Sequence, residues 1–375
     1  MVQTMRPDAR SRKRILKSLF RFSILCLLAG FAAVACSGGG GNGEGGRQPA
    51  KQADSVVLRG AGATFPAILY KEWFSAYRKA HPDTAVSYEP VGSGEGVRRF
   101  IGRNVKDEER VDFGASDAAM TDADMAAVDR GALLLPATAG GVVLAYNLPG
   151  FEGELKLSRD AYARIFLGEV KMWNDPAIAR TNSGVRLPRL TIATVVRQDK
   201  SGTTFAFTNH LKAISAKWRD RYGAATYVDW PGNAMRAAGN EGVAGRIGHS
   251  AGAIGYVGYE FAHRLGLKLA VLENREGKFV RPDAGGFAAA LSTAEMPENL
   301  RVFVPDPPGE GAYPIVTFTW VLLYKKYDAA KEPAIKDLFR WCLGEGQGYA
   351  PQQGYLPLPP EVAAKGITVL DKVSQ

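Results

Sequence analysis

From residue 55 onward, short apolar runs alternate with amphipathic stretches along the chain. SVVLR (Ser55–Arg59), AVSYEPV (Ala85–Val91), VDFGAS (Val111–Ser116), GVVLAYN (Gly141–Asn147), TIATVVR (Thr191–Arg197), GAIGYV (Gly252–Val257) and IVTFTWVLLY (Ile315–Tyr324) combine β-branched and aromatic residues with flanking turn formers, which predicts strands. Between them, Leu69, Trp73, Phe74 and Tyr77 share one face at helical spacing, and Asp160–Phe166 and Thr203–Leu211 read as further helices. Thr121 with Asp124 makes a capping box for another. The alternation predicts an α/β fold with helices covering the sheets. No internal repeat is present, and nothing in this region reads as a linker between sequential domains. Two lobes, each assembled from discontinuous chain, account for that.

Upstream of residue 55 the pattern changes. A basic head runs into FSILCLLAGFAAVAC (Phe22–Cys36), an apolar core ending in small residues, the layout of a secretion signal and too short for a comfortable membrane span. Ala33-Val34-Ala35-Cys36 resembles the end of a bacterial lipoprotein signal, cut before a cysteine that then carries lipid, with Ala33 where leucine is usual. SRKRILK (Ser11–Lys17) approaches a twin-arginine leader, but Lys13 replaces the second arginine, so it reads as an ordinary charged leader. Ser37–Asp54 is a glycine-rich tether with no apolar pattern. Random-coil scaling gives it a reach of roughly 25 Å, which holds the body just off a membrane surface.

Charge and cysteine content fit an exported body. Of the formal +9, seven basic residues against Asp8 place +6 in residues 1–35, leaving +3 for the remainder. That removes any bulk-electrostatic case for nucleic-acid binding. Of three cysteines, Cys26 goes with the leader, Cys36 is the lipid attachment point, and Cys342 has no partner. Without an internal disulfide the body must rely on its core, which a chain of 375 residues, 46% hydrophobic, is long enough to build.

Candidate chemistry lies where strands end. GAGATFP (Gly60–Pro66), PVGSGEGVRR (Pro90–Arg99) and VVRQDKSGTTFAFTNHL (Val195–Leu211) each run from a strand through a glycine or serine turn into a helix, and FGASDAAMTD (Phe113–Asp122) sets Ser116 and Asp117 just beyond a strand. Unpaired N–H groups at helix starts bind anions, and open α/β sheets bind ligands at such carboxyl ends. The hydroxyls of Thr64, Ser93, Ser201 and Thr203 can donate to oxyanion oxygens, and Arg197 adds two parallel donors and a charge. Asp117 narrows the choice. A carboxylate beside an anion is repulsive unless the anion brings a proton, as mono- and dibasic phosphate do and sulfate does not. Asp199 is placed to orient Arg197. Singly, these residues have plainer uses as tight turns, helix caps and a surface ion pair; it is their joint occurrence that argues for a site.

These motifs, with GGVVLAYN, the WND of KMWNDP and GAIGYV, appear in family order, and the chain from about residue 55 to its C-terminal region resembles the exported phosphate-binding proteins of the high-affinity phosphate ABC transporter. The resemblance implies a two-lobed periplasmic-binding-protein clam shell with phosphate in the inter-lobe cleft, closed by a hinge motion. It implies ligand contacts from Thr64, Phe65, Ser93, Asp117, Arg197, Ser201, Gly202 and Thr203, with Asp199 supporting Arg197. It places lobe one at residues 55–137 with 312–375 and lobe two at 138–311, behind a signal peptide at 1–35 and a tether at 36–54. The implied partners are inorganic phosphate and an inner-membrane permease with its cytoplasmic ATPase. The receptor would be monomeric, periplasmic, lipid-anchored through Cys36, and free of cofactor and metal. Two residues depart from the family pattern: Glu95 stands where a small residue is usual and is expected to face solvent, and Lys200 replaces a common glycine.

The alternatives are a receptor for another tetrahedral oxyanion, sulfate or arsenate, and an exported phosphoryl-cleaving enzyme. GHSAG (Gly248–Gly252) matches G-x-S-x-G around Ser250, but a strand-like segment follows the serine where the nucleophile elbow needs a helix, and no histidine lies beyond His263. A dinucleotide fingerprint at Gly60 and Gly62 fails because Phe65 takes the third glycine position. Four scattered histidines and no paired cysteines give no metal site, and Trp73, Trp173, Trp218 and Trp230 read as core residues before any sugar platform.

Overall fold

The computed structural model describes residues 55–375; the leader, Cys36 and the tether lie outside the described residues. In chain order, β1 (Val56–Gly62) leads into α1 (Ala67–Ala80), β2 (Thr84–Glu89) into α2 (Ser93–Ile101), and β3 (Phe113–Ser116) into the short α3 (Asp122–Ala126). The long β4 (Ala132–Asn147) is followed by β5 (Lys156–Leu157), α4 (Arg159–Phe166), α5 (Pro176–Ala179), β6 (Ala193–Arg197), α6 (Gly202–Ile214) and α7 (Ala216–Arg221). Next come β7 (Met235–Ala237), α8 (Gly239–His249), β8 (Ala253–Gly258), α9 (Tyr259–Arg264), β9 (Lys268–Leu269), β10 (Val271–Glu273), β11 (Phe279–Val280) and α10 (Ala284–Leu291). β12 (Val316–Tyr324), α11 (Lys331–Leu343) and α12 (Pro360–Leu370) follow.

The strands line up in the order β2-β1-β3-β12-β4-β8-β6-β7, with β9 also on β4 and a small separate sheet β11-β10-β5. β4 joins two half-sheets. Its residues Ala132 to Gly141 pair antiparallel with β12, and from Val142 onward it pairs with β8, Val142 opposite Gly258. In each half the strands beside this junction are parallel and feed helices, β1, β2 and β3 on one side and β6, β7 and β8 on the other. All but the last residue of β4 are buried, so it runs through the middle of the protein.

Only the second half of β4 was expected from the sequence. Pro136 within ALLLPATA argues against a central strand because it cannot donate to a ladder. The structure accommodates it at a register shift, where Thr319 faces Thr138 and Trp320 faces Pro136. At such a bulge a residue lacking an N–H costs no ladder bond. The remaining predicted strands and helices are present, and the capping box on α3 forms, Asp124 N–H donating to Thr121 Oγ1 at 3.1 Å while the Asp124 carboxylate accepts from Thr121 N–H.

Tyr70, Trp73, Phe74 and Tyr77 of α1 pack on one half-sheet; Trp218, Trp230, Phe207 and Tyr256 stack on the other, and Trp173 is fully buried beside Tyr146. The tryptophans are thus core residues. Cys342 is free and buried among the α11 packing residues. Ser250 caps the C-terminal end of α8 and β8 follows, so helix precedes and strand follows the GHSAG serine, the reverse of a nucleophile elbow.

Candidate functional site

Four strand-to-helix turns converge where the two half-sheets meet. β1 ends at Gly62, whose added Cβ would stand 2.1 Å from the Ala115 carbonyl oxygen of β3, so only glycine lets these strand ends approach closely enough to bring Thr64 and Asp117 together. β2 turns through Gly92 into α2, which begins at Ser93, and β6 turns through Arg197, Asp199 and Ser201 into α6. Across the seam, Gly202 is equally without room for a side chain. A Cβ there would lie 2.5 Å from Asp117 Cβ and 2.7 Å from Ser93 Oγ.

All eight predicted ligand residues are buried, and the charged ones, Asp117 and Arg197, are only 1% and 2% exposed. Ser93 Oγ accepts from the N–H groups of Asp117 (3.3 Å) and Gly202 (3.0 Å), one from each half. A hydroxyl that accepts two N–H groups still has its own O–H to donate. Ser201 is the N-cap of α6, its Oγ accepting from Thr204 N–H at 3.2 Å, so its hydroxyl serves the helix. Phe65 is fixed by Tyr355, whose hydroxyl donates to the Phe65 carbonyl at 2.6 Å and whose ring meets it edge-on at 5.6 Å.

Arg197 and Asp199 form a two-pronged pair, Nε donating to Oδ1 at 2.9 Å and Nη2 donating to Oδ2. Gly239 N–H also donates to Asp199 Oδ1 at 3.1 Å. Burial works to raise the Asp199 carboxyl, but the Arg197 guanidinium and the Gly239 N–H outweigh it and hold it below its usual range. The remaining guanidinium nitrogen, Nη1, lies 3.4 Å from Thr203 Oγ1. Asp117 behaves oppositely. Burial pushes its carboxyl up to about 7 against the pull of the Thr319 hydroxyl, which donates to Oδ1 at 2.8 Å, and of the Arg197 charge. The site therefore holds a permanent cation and a carboxyl able to accept or to give a proton near neutrality.

The two departures leave this arrangement intact. Glu95 turns away from the seam to Arg98 and Arg99 (2.7 and 2.9 Å), and the Arg98 bond leads in lowering its carboxyl to about 2. Lys200 is exposed, and its backbone carbonyl accepts from Gly94 N–H at 3.0 Å, a bond between α2 and the β6–α6 turn.

Sequence reasoning missed Asn240 and Thr319, both fully buried. Asn240 donates from its backbone N–H and Nδ2 to Thr64 Oγ1 (3.1 and 2.9 Å) and from Nδ2 to Thr203 Oγ1 (3.2 Å), while its Oδ1 accepts from Gly258 N–H at 3.0 Å. The signal was available, since MRAAGNEGV repeats the plan of strand, glycine turn and helix, with Gly239 at φ 65°. Thr319 had no local signal. It lies mid-strand in β12, 202 residues from the carboxylate it binds.

A model of the PBP superfamily domain matches residues 47–345. The phosphate-binding protein PstS of Xylella fastidiosa (strain Temecula1) is 35% identical over 354 residues, 91% of this chain and 94% of its own. That of Pasteurella multocida is 39% identical and covers 82% of this chain and 88% of its own; that of Methanocaldococcus jannaschii is 35% identical, with 94% of each covered. Among solved structures, a phosphate-binding protein from Stenotrophomonas maltophilia superposes with a TM-score of 0.66 at 19% identity, over 84% of this chain and 94% of that one. A high affinity periplasmic phosphate-binding protein (PfluDING) bound with phosphate superposes with a TM-score of 0.68 at 22% identity, over 85% and 99%. The structural likenesses carry the fold, the two-lobed architecture of periplasmic binding proteins.

Proposed function

Because the chain belongs to the PstS phosphate-binding protein family, we propose that it captures inorganic phosphate outside the inner membrane and delivers it to the permease of an ABC transporter for import. The observation that carries this reading is the pairing of Arg197, locked by Asp199, with Asp117, a buried carboxyl that titrates near neutrality, in a seam lined by N–H and hydroxyl donors. Such a site suits a tetrahedral anion that brings its own proton. Thr64, Phe65, Ser93, Arg197, Ser201, Gly202 and Thr203 donate to phosphate oxygens, and Asp117 accepts the phosphate proton. Lobe one comprises residues 55–137 and 312–375 and lobe two residues 138–311, a division supported by the change of partners along β4 at Gly141 and Val142.

The protein acts as a monomeric receptor and carries out no covalent step; the position of Ser250 between α8 and β8 supports this over a hydrolytic reading. No helix among the described residues is long and apolar enough to cross a membrane. The proposed attachment is a lipid on Cys36 after cleavage of the leader, with Ser37–Asp54 as tether in the periplasm. Cys36→Ala is expected to release the protein into the soluble fraction of fractionated cells, and retention in the membrane would remove the lipid anchor.

Calorimetric titration of anion-stripped residues 55–375 tests the ligand. Tight phosphate binding with no sulfate heat is expected, and equal binding of the two anions would overturn the reading. In the same assay Glu95→Gln is expected to hold phosphate within about twofold of the parent, because its partners are Arg98 and Arg99 and not the seam. A tenfold gain in affinity would place Glu95 in the ligand's field instead.

A further inference from the structure

Glu260, the second residue of α9, is 3% exposed, yet among the described residues neither carboxylate oxygen has a hydrogen-bond partner. Such a group calls for an explanation, because an ionised carboxylate without partners is among the costliest things a protein can bury. Its place gives one. Glu260 belongs to the β8 half, and the segment carrying Gly354 and Tyr355 lies against it. A Cβ on Gly354 would stand 3.2 Å from the Tyr259 ring and 3.5 Å from Glu260 Cα, and Tyr355 reaches on to Phe65 of the other half. On the far side the carboxyl folds back over Gly258, where a Cβ would meet Oε1 at 2.1 Å. Glu260 therefore sits in the seam between the lobes, a few residues from Phe65 and the ligand shell.

The titratable groups acting on it are Asp117, at the end of β3, and Tyr355, on the C-terminal segment. Asp117 works against a negative charge; Glu260's own backbone N–H and the Tyr355 hydroxyl, which donates to the Phe65 carbonyl, favour one but do not outweigh burial. Charges of both signs lie farther out. Lys71 and Arg78 of α1, Glu241 of α8 and Arg264 of α9 line a groove of about 660 Å³ between the lobes that reaches Phe261, the next residue along.

We infer that Glu260 is an affinity-determining residue: the lobes close over phosphate only with this carboxyl protonated, so that capture takes up a proton at Glu260. The inference rests on the phosphate-receptor reading above. In the open form water solvates the carboxylate and it ionises in the ordinary range. Closure strips that water, and burial, with the Asp117 charge adding to it, outweighs the nearby backbone N–H and Tyr355 hydroxyl and holds the proton on. The group's affinity for protons is thus higher closed than open. Closure is fully favoured below the ordinary carboxylate range, and this contribution is lost as pH rises toward the closed-state value. Within that window phosphate affinity falls by about tenfold per pH unit, beyond whatever phosphate and Asp117 contribute themselves.

Glu260→Gln keeps the shape and removes the charge, and Glu260→Leu does so without an amide, should the glutamine variant fold poorly. The phosphate Kd of the parent relative to either variant is expected to rise about tenfold from pH 5.5 to 6.5. Calorimetry in buffers of different ionisation heat is expected to show the parent taking up one proton more than the variant at pH 6.5. Parallel pH profiles with equal proton counts would overturn the inference while leaving the receptor reading standing. If phosphate fails to bind the parent, the receptor reading fails. Small-angle X-ray scattering of the ligand-free proteins then decides about Glu260. A parent that expands from pH 5 to 8 while the variants stay compact supports the proton-dependent closure, and a parent of constant radius overturns it.

Discussion

Alanine at Arg197 is expected to weaken phosphate binding by about 30- to 4,000-fold while leaving the fold in place. The side chain is buried at the seam, and truncating one partner of a buried, hydrogen-bonded charge pair costs about 2–5 kcal/mol, with each 1.4 kcal/mol worth a factor of ten. Two features put this residue at the top of the range of effects. Asp199 engages Nε and Nη2, which fixes the plane of the guanidinium and offsets its charge when the site is unliganded. Asp199 is itself held by Gly239 N–H, so the cation is pre-oriented by two neighbouring turns of the β6–β7 half and needs no reorganisation on binding. Lysine at the same position keeps the charge but loses the planar fork and cannot satisfy Asp199 in the same way, so it should recover only part of the loss. Isothermal titration with phosphate, alongside circular dichroism to confirm folding, gives the answer. A loss below threefold for the alanine variant would take Arg197 out of the ligand shell.

The parts of this site that could be read from sequence are those where the backbone needs an unusual residue. Gly62 and Gly202 stand where a side chain would collide with Ala115 or with Asp117 and Ser93, so these close approaches leave glycines in the sequence even though they join residues far apart in the chain. The strand-end hydroxyls and Arg197 sit beside those glycines and are located with them. Asn240 sits in an equivalent turn, but β7 before it has three half-buried residues, too short to register as a strand. Thr319 and Glu260 could not be found this way. One alternates normally within a buried strand, and the other looks like the polar face of a short helix until the C-terminal segment is laid over it. Pro136 concealed half of β4, because a proline at a bulge and a proline that ends a strand look alike in one dimension.

Asparagine at Asp117 is expected to abolish most of the discrimination between phosphate and sulfate, mainly by admitting sulfate. A site built to hydrogen-bond a ligand hydroxyl rejects the analogue lacking it by about 10⁴–10⁵. Asp117 provides such a site when ionised, its Oδ1 already accepting from Thr319 and its other oxygen left to accept the phosphate proton. Sulfate offers that oxygen only lone pairs. An asparagine can turn its NH₂ toward either anion, so sulfate gains a donor where it met an acceptor. The pH dependence follows from the direction of the Asp117 shift, from the usual carboxylate range up to about 7 through burial. Below about pH 7 the carboxyl is protonated and can donate to sulfate; above it the ionised form repels. Sulfate binding by the parent should therefore weaken by about tenfold per pH unit above neutrality, while the asparagine variant binds sulfate equally from pH 6 to 9. The same shift bears on the ligand-free fold. Its stabilising contribution is complete below the unperturbed carboxylate pKa and is lost as pH rises through about 7, so the asparagine variant should lack that part of the decline in thermal midpoint. Competition titrations of both anions across this pH range test the assignment. An unchanged preference for phosphate at pH 8 in the asparagine variant would mean that the donors around Arg197, and not the acceptor at Asp117, choose the ligand.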